Sequence, residues 1–463
     1  MLSTDNKASW KKWISLCIAT MVIEVVLLIF ADNGVLISLL GDFIARREMI
    51  SKIILSQSLA IFIIPIVTYP FIIMKKEESV NVWLYEIPFA IIGSFIIANV
   101  QIIILRDFQG IGHEWNYGDF TNWNYLNMYS IDRLYDTNYP PLAVLIYCFF
   151  KLFIPVHSDW HNSFRYINFL IIVVSIFSIY WLVECYIDGI KNKKFIAFSA
   201  LITGPMLFAI QRENIILFAF IFTLIFYFFK DSKKKSLRII SYISLAIAAN
   251  IKIYPAIYGA LLLKQKRFKG ALCSFLIGSV LFFLPSLVIF FIEGRTIFDQ
   301  LFSFWNHVKG LQGTGEVYTI SFWTMANKFC ILLGLTDKWQ FDIMVLLIQI
   351  IMFLLCLIIT LWSEDEFDTL IMLSLLVACV PQISYWYTLV FLTLPIVYYL
   401  KENVSRGNEV MKNIQLITIM LVLIPVYENP ILGINKYLRL VSLLLITSFH
   451  FLYKTCISKN TVK

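Results

Sequence analysis

Residues 118 to 155 read GDFTNWNYLNMYSIDRLYDTNYPPLAVLIYCFFKLFIP. This stretch combines acids, aromatics and a double proline, whereas its surroundings are largely soluble in hydrocarbon. The 463 residues are 59% hydrophobic, 16% aromatic and only 15% charged, with a mean hydropathy of +0.78. Such a chain is too apolar for a soluble domain and reads as an all-α, polytopic transmembrane helix bundle. Whether the run Pro140 to Pro155 crosses the bilayer or lies on it decides the topology, because it fixes which side every later segment occupies.

Parity settles that question. A span needs roughly 20 apolar residues, and basic clusters belong on the cytoplasmic side. The clusters are the N-terminus with Lys7, Lys11 and Lys12, then Lys75-Lys76, 191–194 (KNKK), 230–238 (KDSKKKSLR), 264–269 (KQKRFK), 401–412, and the tail from Lys454. Any two of them must be separated by an even number of crossings. Between Lys76 and Lys191 lie three apolar runs, Trp83 to Leu105, Pro140 to Pro155, and Arg165 to Tyr186. The middle run is the shortest and opens on Pro140-Pro141, so it is the one that stays on the membrane as an interfacial helix, with proline at its tolerated first turn. Residues 106–164 then form one extracytoplasmic loop, with a polar helix expected from Phe120 to Ser130.

The same rule puts Gln211 to Asn214 and a turn at Asn250 to Lys252 on the outer side. It makes residues 293–340 a second outer loop, and sets Pro381 to Tyr385 and Tyr427 to Lys436 outside as well. The expected architecture is a single multispanning domain over residues 1–463, with roughly 12 to 14 spans and both termini cytoplasmic. Trp13 to Ala31 reads as an uncleaved signal anchor. The short runs Phe195 to Ile210 and Ile253 to Leu263 predict broken helices. Arg46, Arg47 and Lys52 fall on the outer side and resist the scheme.

The formal charge of +8 lies in these loop clusters, so it points to topology and not to a nucleic-acid partner. The eight cysteines form no CxxC pair and read as small apolar residues of the spans. No repeat relates the two halves, which weighs against an inverted-repeat transporter.

Charges held close to apolar spans cost about 2.5 to 3.5 kcal/mol each at the bilayer centre, so each needs a reason. Asp119, Arg212, Glu213, Asn250 and Lys252 all map to the outer side. Asp119 follows Gly118 at the expected helix start, where N-capping is its ordinary role. The sharper role is general base, with Trp123 one turn on as a stacking surface for a sugar ring, and the two roles are compatible. One carboxylate is enough if the sugar leaves from a lipid phosphate, since that leaving group is already an anion, whereas ordinary glycoside hydrolysis needs a carboxyl pair. The other requirement is then cationic. Arg212 and Lys252 are the candidates, although a single Lys or Arg at a span end ordinarily snorkels. Lys252 is the stronger, because Asn250-Ile251-Lys252-Ile253-Tyr254-Pro255 sets it at a proline-broken turn.

Competing groups carry weaker signals. Asp107, Glu114, Asp132 and Asp136 read as solvated loop acids. Asp132 and Asp136 lie one turn apart but lack further ligands. His113, His157 and His161 have no zinc-site spacing. Tyr135, Tyr139, Trp115, Trp123 and Trp160 fit an aromatic belt, as does Ser384 to Tyr387. In the second outer loop, Phe304 to His307 and Gly310 to Gly315 read as a flexible, polar segment, more a connection than a cover.

In order along the chain, GDFTNW, then NYPPL, then NIKIYPAIYGALLL followed by KQKRFK resembles the multispanning, polyprenyl-phosphate-mannose-dependent mannosyltransferases of the GT-C fold class. The resemblance extends loosely over Gly118 to Leu400, and departs in placing two apolar runs ahead of the span that leads into the loop. It implies a catalytic aspartate in a large outer loop, carried here onto Asp119, and inversion at the sugar carbon without a nucleotide donor or a metal, although other branches of the class use one. The combined expectation is an integral membrane glycosyltransferase of the bacterial plasma membrane. It would move a hexose from a polyprenyl-phosphate sugar to an extracytoplasmic glycan or glycolipid. Lys252 and Arg212 would hold the phosphate, while Trp123, Tyr139, Glu213 and Asn250 would hold sugar or acceptor, with no cofactor required. A polysaccharide polymerase of the O-antigen type and a lipid-linked sugar flippase are the rival classes.

Overall fold

The computed structural model describes residues 139–151, 174–175, 178–187, 197, 203–211, 214–311, 319–335, 337–381, 384–402, 410–423 and 433–461. The chain separates into two compact units, Met1–Asn116 with Ile202–Gly204, and Tyr117–Leu201 with Pro205–Lys463. Nearly all described residues belong to the second, and they are almost entirely helical.

The order is α1 (Pro141–Lys151), α2 (Gly204–Gln211), α3 (Ile216–Phe229), α4 (Lys235–Ile251), a 3-10 helix (Tyr254–Gly259), α5 (Ala260–Lys264), α6 (Phe268–Glu293), α7 (Ile297–Leu311), α8 (Phe322–Leu332), α9 (Lys338–Trp362), α10 (Glu366–Cys379), a second 3-10 helix (Trp386–Leu392), α11 (Thr393–Glu402), α12 (Val410–Leu423) and α13 (Gly433–Thr461). Among the described residues, two helices are long and apolar enough to cross a bilayer, Phe268–Phe291 and Lys338–Trp362. At 1.5 Å per residue, the 26 residues of α6 reach ~39 Å, more than the hydrocarbon core requires.

Polar side chains set the helix ends. Ser321 accepts from the Thr324 amide to start α8, Asp337 accepts from Trp339 and Gln340 to start α9, and Asp365 accepts from Phe367 to start α10. Gly294 ends α6 in the left-handed region at φ 72°, where a side chain would be strained.

α10 is the central helix, buried from Phe367 to Cys379. Both 3-10 segments dock on it through Ser374. The Ser374 hydroxyl lies 3.1 Å from the Tyr258 hydroxyl and donates to the Phe391 carbonyl at 3.0 Å. The segment after Lys252 is thus the broken helix expected for Ile253 to Leu263, a 3-10 turn opened by Pro255 and followed by only five α-helical residues. By contrast α6 and α9 leave one side bare, with Phe275, Phe283, Phe291, Leu346 and Ile351 all exposed, as lipid-facing surfaces are.

The bundle has two distinct polar ends. At one, the basic clusters meet acids. Lys230 Nζ lies 3.3 Å from Glu366, Arg267 2.9 Å from Asp231, and Lys412 and Lys454 stand 2.8 and 2.6 Å from the same Asp365 oxygen. Lys264 donates to Thr369 at 2.6 Å. At the other end, Thr319 and Tyr385 form an isolated antiparallel bridge, with Ile320 N donating to Ser384 O at 2.7 Å. The Tyr437 hydroxyl donates to the Thr319 carbonyl at 2.9 Å. Helices such as α4, which starts at Lys235 and stops before Lys252, run from the first end to the second.

One expectation is corrected here. Phe304 to His307 and Gly310 are not part of a flexible connection but lie inside α7. The amphipathic period of the whole segment outweighed the local polar and glycine content on which the loop reading relied.

Candidate active site

The end of α4 is built to stop. Pro255 has no N–H to give the Ile251 carbonyl four residues back, and its ring would clash with that carbonyl, so the helix closes at Ile251. Lys252 turns extended, at φ −141° and ψ 131°, while its amide still donates to the Ala248 carbonyl. The Asn250 amide nitrogen donates twice, to Ala246 O in its own helix and to Gly278 O in α6, both at 2.9 Å. Asn250 is buried, so these bonds clamp the last turn of α4 to α6 and hold the position from which Lys252 projects.

Lys252 meets the double-proline segment. Its Nζ lies 3.9 Å from the centroid of the Tyr139 ring, a cation–π contact across the junction between α4 and α1. Beneath this pair, Ala143, Val144, Ile215, Ala219, Ile251 and Ile289 form an apolar cluster, with Tyr139 packed against it. Tyr139 thus rests on the cluster directly, and Lys252 immediately follows its member Ile251. Ile215 brings in the start of α3, where buried Asn214 accepts from the Ile216 amide at 2.9 Å. Its own amide donates to Ala209 O at 3.0 Å.

Of the residues singled out from sequence, the structure brings together Tyr139, Lys252 and Asn250, which are distant in the chain. Asp119, Trp123, Arg212 and Glu213 lie outside the described residues, as do Asp107, Glu114, Asp132 and Asp136. Tyr385 sits at the bridge to Thr319 with its ring stacked on Tyr387, 5.7 Å between centroids. What Lys252 and Tyr139 offer chemically is a cation held by an aromatic face at a helix end, a fit for an anion that also carries apolar or sugar surface.

A second polar centre was not foreseen. Asp368, fully buried on α10, accepts from the Gln415 amide at 2.7 Å and lies 2.9 Å from His450 Nδ1. With Asp365, these two residues place three potential ligand atoms within 4.8 Å of one another. The donor set suits a metal poorly. Asp365 is already bonded to Lys412, Lys454 and the Phe367 amide, and two ammonium groups beside a dication repel it. The cluster instead ties α10, α12 and α13 together. Its signal in the sequence was an Asp and a His within apolar runs; the pairing, across 82 residues, left none.

Burial alone would raise the Asp365 carboxyl, but its hydrogen bonds from Lys412 and Lys454 prevail and hold it at about 2. Burial lowers the Lys264 ammonium, against the opposing pull of Glu366 and Asp365.

Among known proteins, the model of glycosyltransferase family 87 matches residues 137–384. The matched segment contains Tyr139, Arg212, Glu213, Asn250 and Lys252 and begins after Asp119 and Trp123. Neither a curated protein nor a solved structure matches. The family match covers more than half of the chain, and the chain belongs to glycosyltransferase family 87.

Proposed function

From this membership we propose that the chain is a multispanning membrane enzyme that transfers a hexose, mannose first among candidates, from a polyprenyl-phosphate sugar to an extracytoplasmic glycan or glycolipid. Asp119 removes the proton of an acceptor hydroxyl as its oxygen attacks the anomeric carbon. The bond from that carbon to the phosphate oxygen breaks, and the configuration inverts. The lipid phosphate departs as an anion, and Lys252 and Arg212 stabilise the charge it gains. Trp123 and Tyr139 offer faces to the sugar rings, with Glu213 near the acceptor and Asn250 holding the turn that presents Lys252.

The observation that carries this reading is the placement of Lys252 over Tyr139, 3.9 Å from its ring centroid. The pair stands at the end of the bundle opposite the layer of basic loops. By the charge bias of cytoplasmic loops, that opposite end is extracytoplasmic.

The test is incubation of membranes with labelled polyprenyl-phosphate mannose and glucose. Transfer of label into a glycan or glycolipid by the wild type, lost in Asp119→Asn with the protein still in the membrane, supports the reading. Movement of the labelled lipid across the bilayer without transfer supports a flippase, and full transfer by Asp119→Asn removes that residue from the base role.

A further inference from the structure

Helix α7 presents its apolar side outward. Phe298, Leu301, Phe302 and Trp305 are all exposed, Phe298 at 82% and Phe302 at 67%. Their spacing of three, four and seven residues places them in one stripe along the helix. Gln300, at 7% exposure, falls on the opposite side. Its amide donates to the Ser286 carbonyl of α6 at 2.9 Å and to the Arg295 carbonyl at 3.3 Å. The start of the helix is fixed by a reciprocal cap, in which Asp299 accepts from the Thr296 amide and hydroxyl and the Asp299 amide donates to the Thr296 hydroxyl.

These bonds set the depth of the stripe. Ser286 lies within the apolar run Phe268–Phe291, seven residues before the end of α6 at Glu293, or ~10 Å along its axis. After the turn at Gly294, α7 has therefore folded back beside the last two turns of α6. The part of α6 beside which α7 lies is itself bare, with Phe283, Leu287 and Phe291 exposed.

We infer that α7 is a membrane-interface helix, its Phe298, Leu301, Phe302 and Trp305 stripe seated among phospholipid acyl chains just below the headgroups. A stripe of four large apolar side chains, joined to the surface of a spanning helix and lying inside its apolar length, fits lipid better than water. The placement also bears on the proposed reaction. Ile289, one turn beyond Ser286, belongs to the cluster under Tyr139 and Lys252. The lipid boundary marked by α7 is thus one turn of α6 from the apolar cluster on which Tyr139 of the proposed phosphate site packs. The seating of α7 stands on its own, while this last consequence rests on the proposed function.

The full chain is reconstituted into phosphatidylcholine vesicles, and the emission of Trp305 is isolated as the difference between wild type and Trp305→Phe, with Trp305→Tyr as a second reference. Phospholipids brominated close to the headgroup are expected to quench this component severalfold more than lipids brominated at the chain end, and aqueous iodide to leave it nearly untouched. Strong quenching by iodide would place the stripe in water and overturn the inference. Quenching by neither would mean protein covers it, from residues 1–116 or a second copy, and overturns it equally. Strongest quenching by the deepest bromines would make α7 an inserted segment instead of an interface helix. No sugar transfer is measured, so this result and that of the donor assay are independent.

Discussion

Lys252, at the broken end of α4, places its ammonium 3.9 Å from the centroid of the Tyr139 ring, ahead of the first turn of α1. The two residues lie far apart in the chain, Tyr139 packing on the apolar cluster that also contains Ile251 next to Lys252, so the geometry of the candidate phosphate site depends on how α1 and α4 pack. A cation–π contact is worth ~0.5–2 kcal/mol, and Tyr139→Phe keeps the aromatic face. Donor KM should therefore change little in Tyr139→Phe and rise about 2- to 30-fold in Tyr139→Leu. Lys252→Ala should weaken donor use more than acceptor use, read from KM values with each substrate varied in turn.

The clamp at the end of α4 predicts a contrast between two glycines. A methyl on Gly278 would meet Asn250 Nδ2 at 3.6 Å, ordinary contact, whereas one on Gly270 would lie 2.7 Å from Tyr242 Cζ. Gly278→Ala should be close to neutral, whereas Gly270→Ala pushes the far end of the Tyr242 side chain aside and should destabilise by about 1 kcal/mol. Asn250→Ala, which removes the bond that ties α4 to α6, should cost ~0.5–1.5 kcal/mol. Thermal unfolding in detergent reads all three.

The buried pair of Asp368 and His450 should behave as a unit. Removing one partner leaves a buried polar group uncompensated, at ~3–5 kcal/mol if it is charged, while replacing both by apolar residues is much milder. In a Gln415→Leu background, which removes the third buried partner of Asp368, His450→Leu should therefore lower the melting temperature more than the double variant Asp368→Leu/His450→Leu. Equal or greater loss in the double variant would show that the pair contributes net stability beyond mutual compensation.

Asp365 predicts an acid transition. Its folded carboxyl is held down at about 2, below an unfolded value of about 3.9. The resulting stability is present above about pH 4 and is lost as pH falls toward about 2, because the unfolded chain takes up the proton first. Asp365→Asn should be less stable than wild type at neutral pH, with the difference shrinking across that window. Melting temperatures measured from pH 6 down to about pH 2 test the sign.

Some of this was readable from local composition. Lys230, Lys264, Lys412 and Lys454 were assigned to one side by loop charge alone, and all four contribute to the polar layer around Asp365, Glu366 and Thr369. The proline-broken turn after Lys252 was likewise written in Tyr254-Pro255. The stripe of α7 was present as spacing too, but glycine and polar residues around Asn306 and Gly310 masked it until the helix was seen to dock through Gln300.

Apolar composition, helical character, the polar interruptions and the stop of α4 are all legible in the residue order. Each of these follows from solvation cost or from backbone geometry within a few residues. That Lys252 meets Tyr139, that Asn250 secures α4 to α6, and that Asp368 finds His450 and Gln415 came from helix packing. Such pairings depend on which helix faces pack together, and separation along the chain carries no record of that choice.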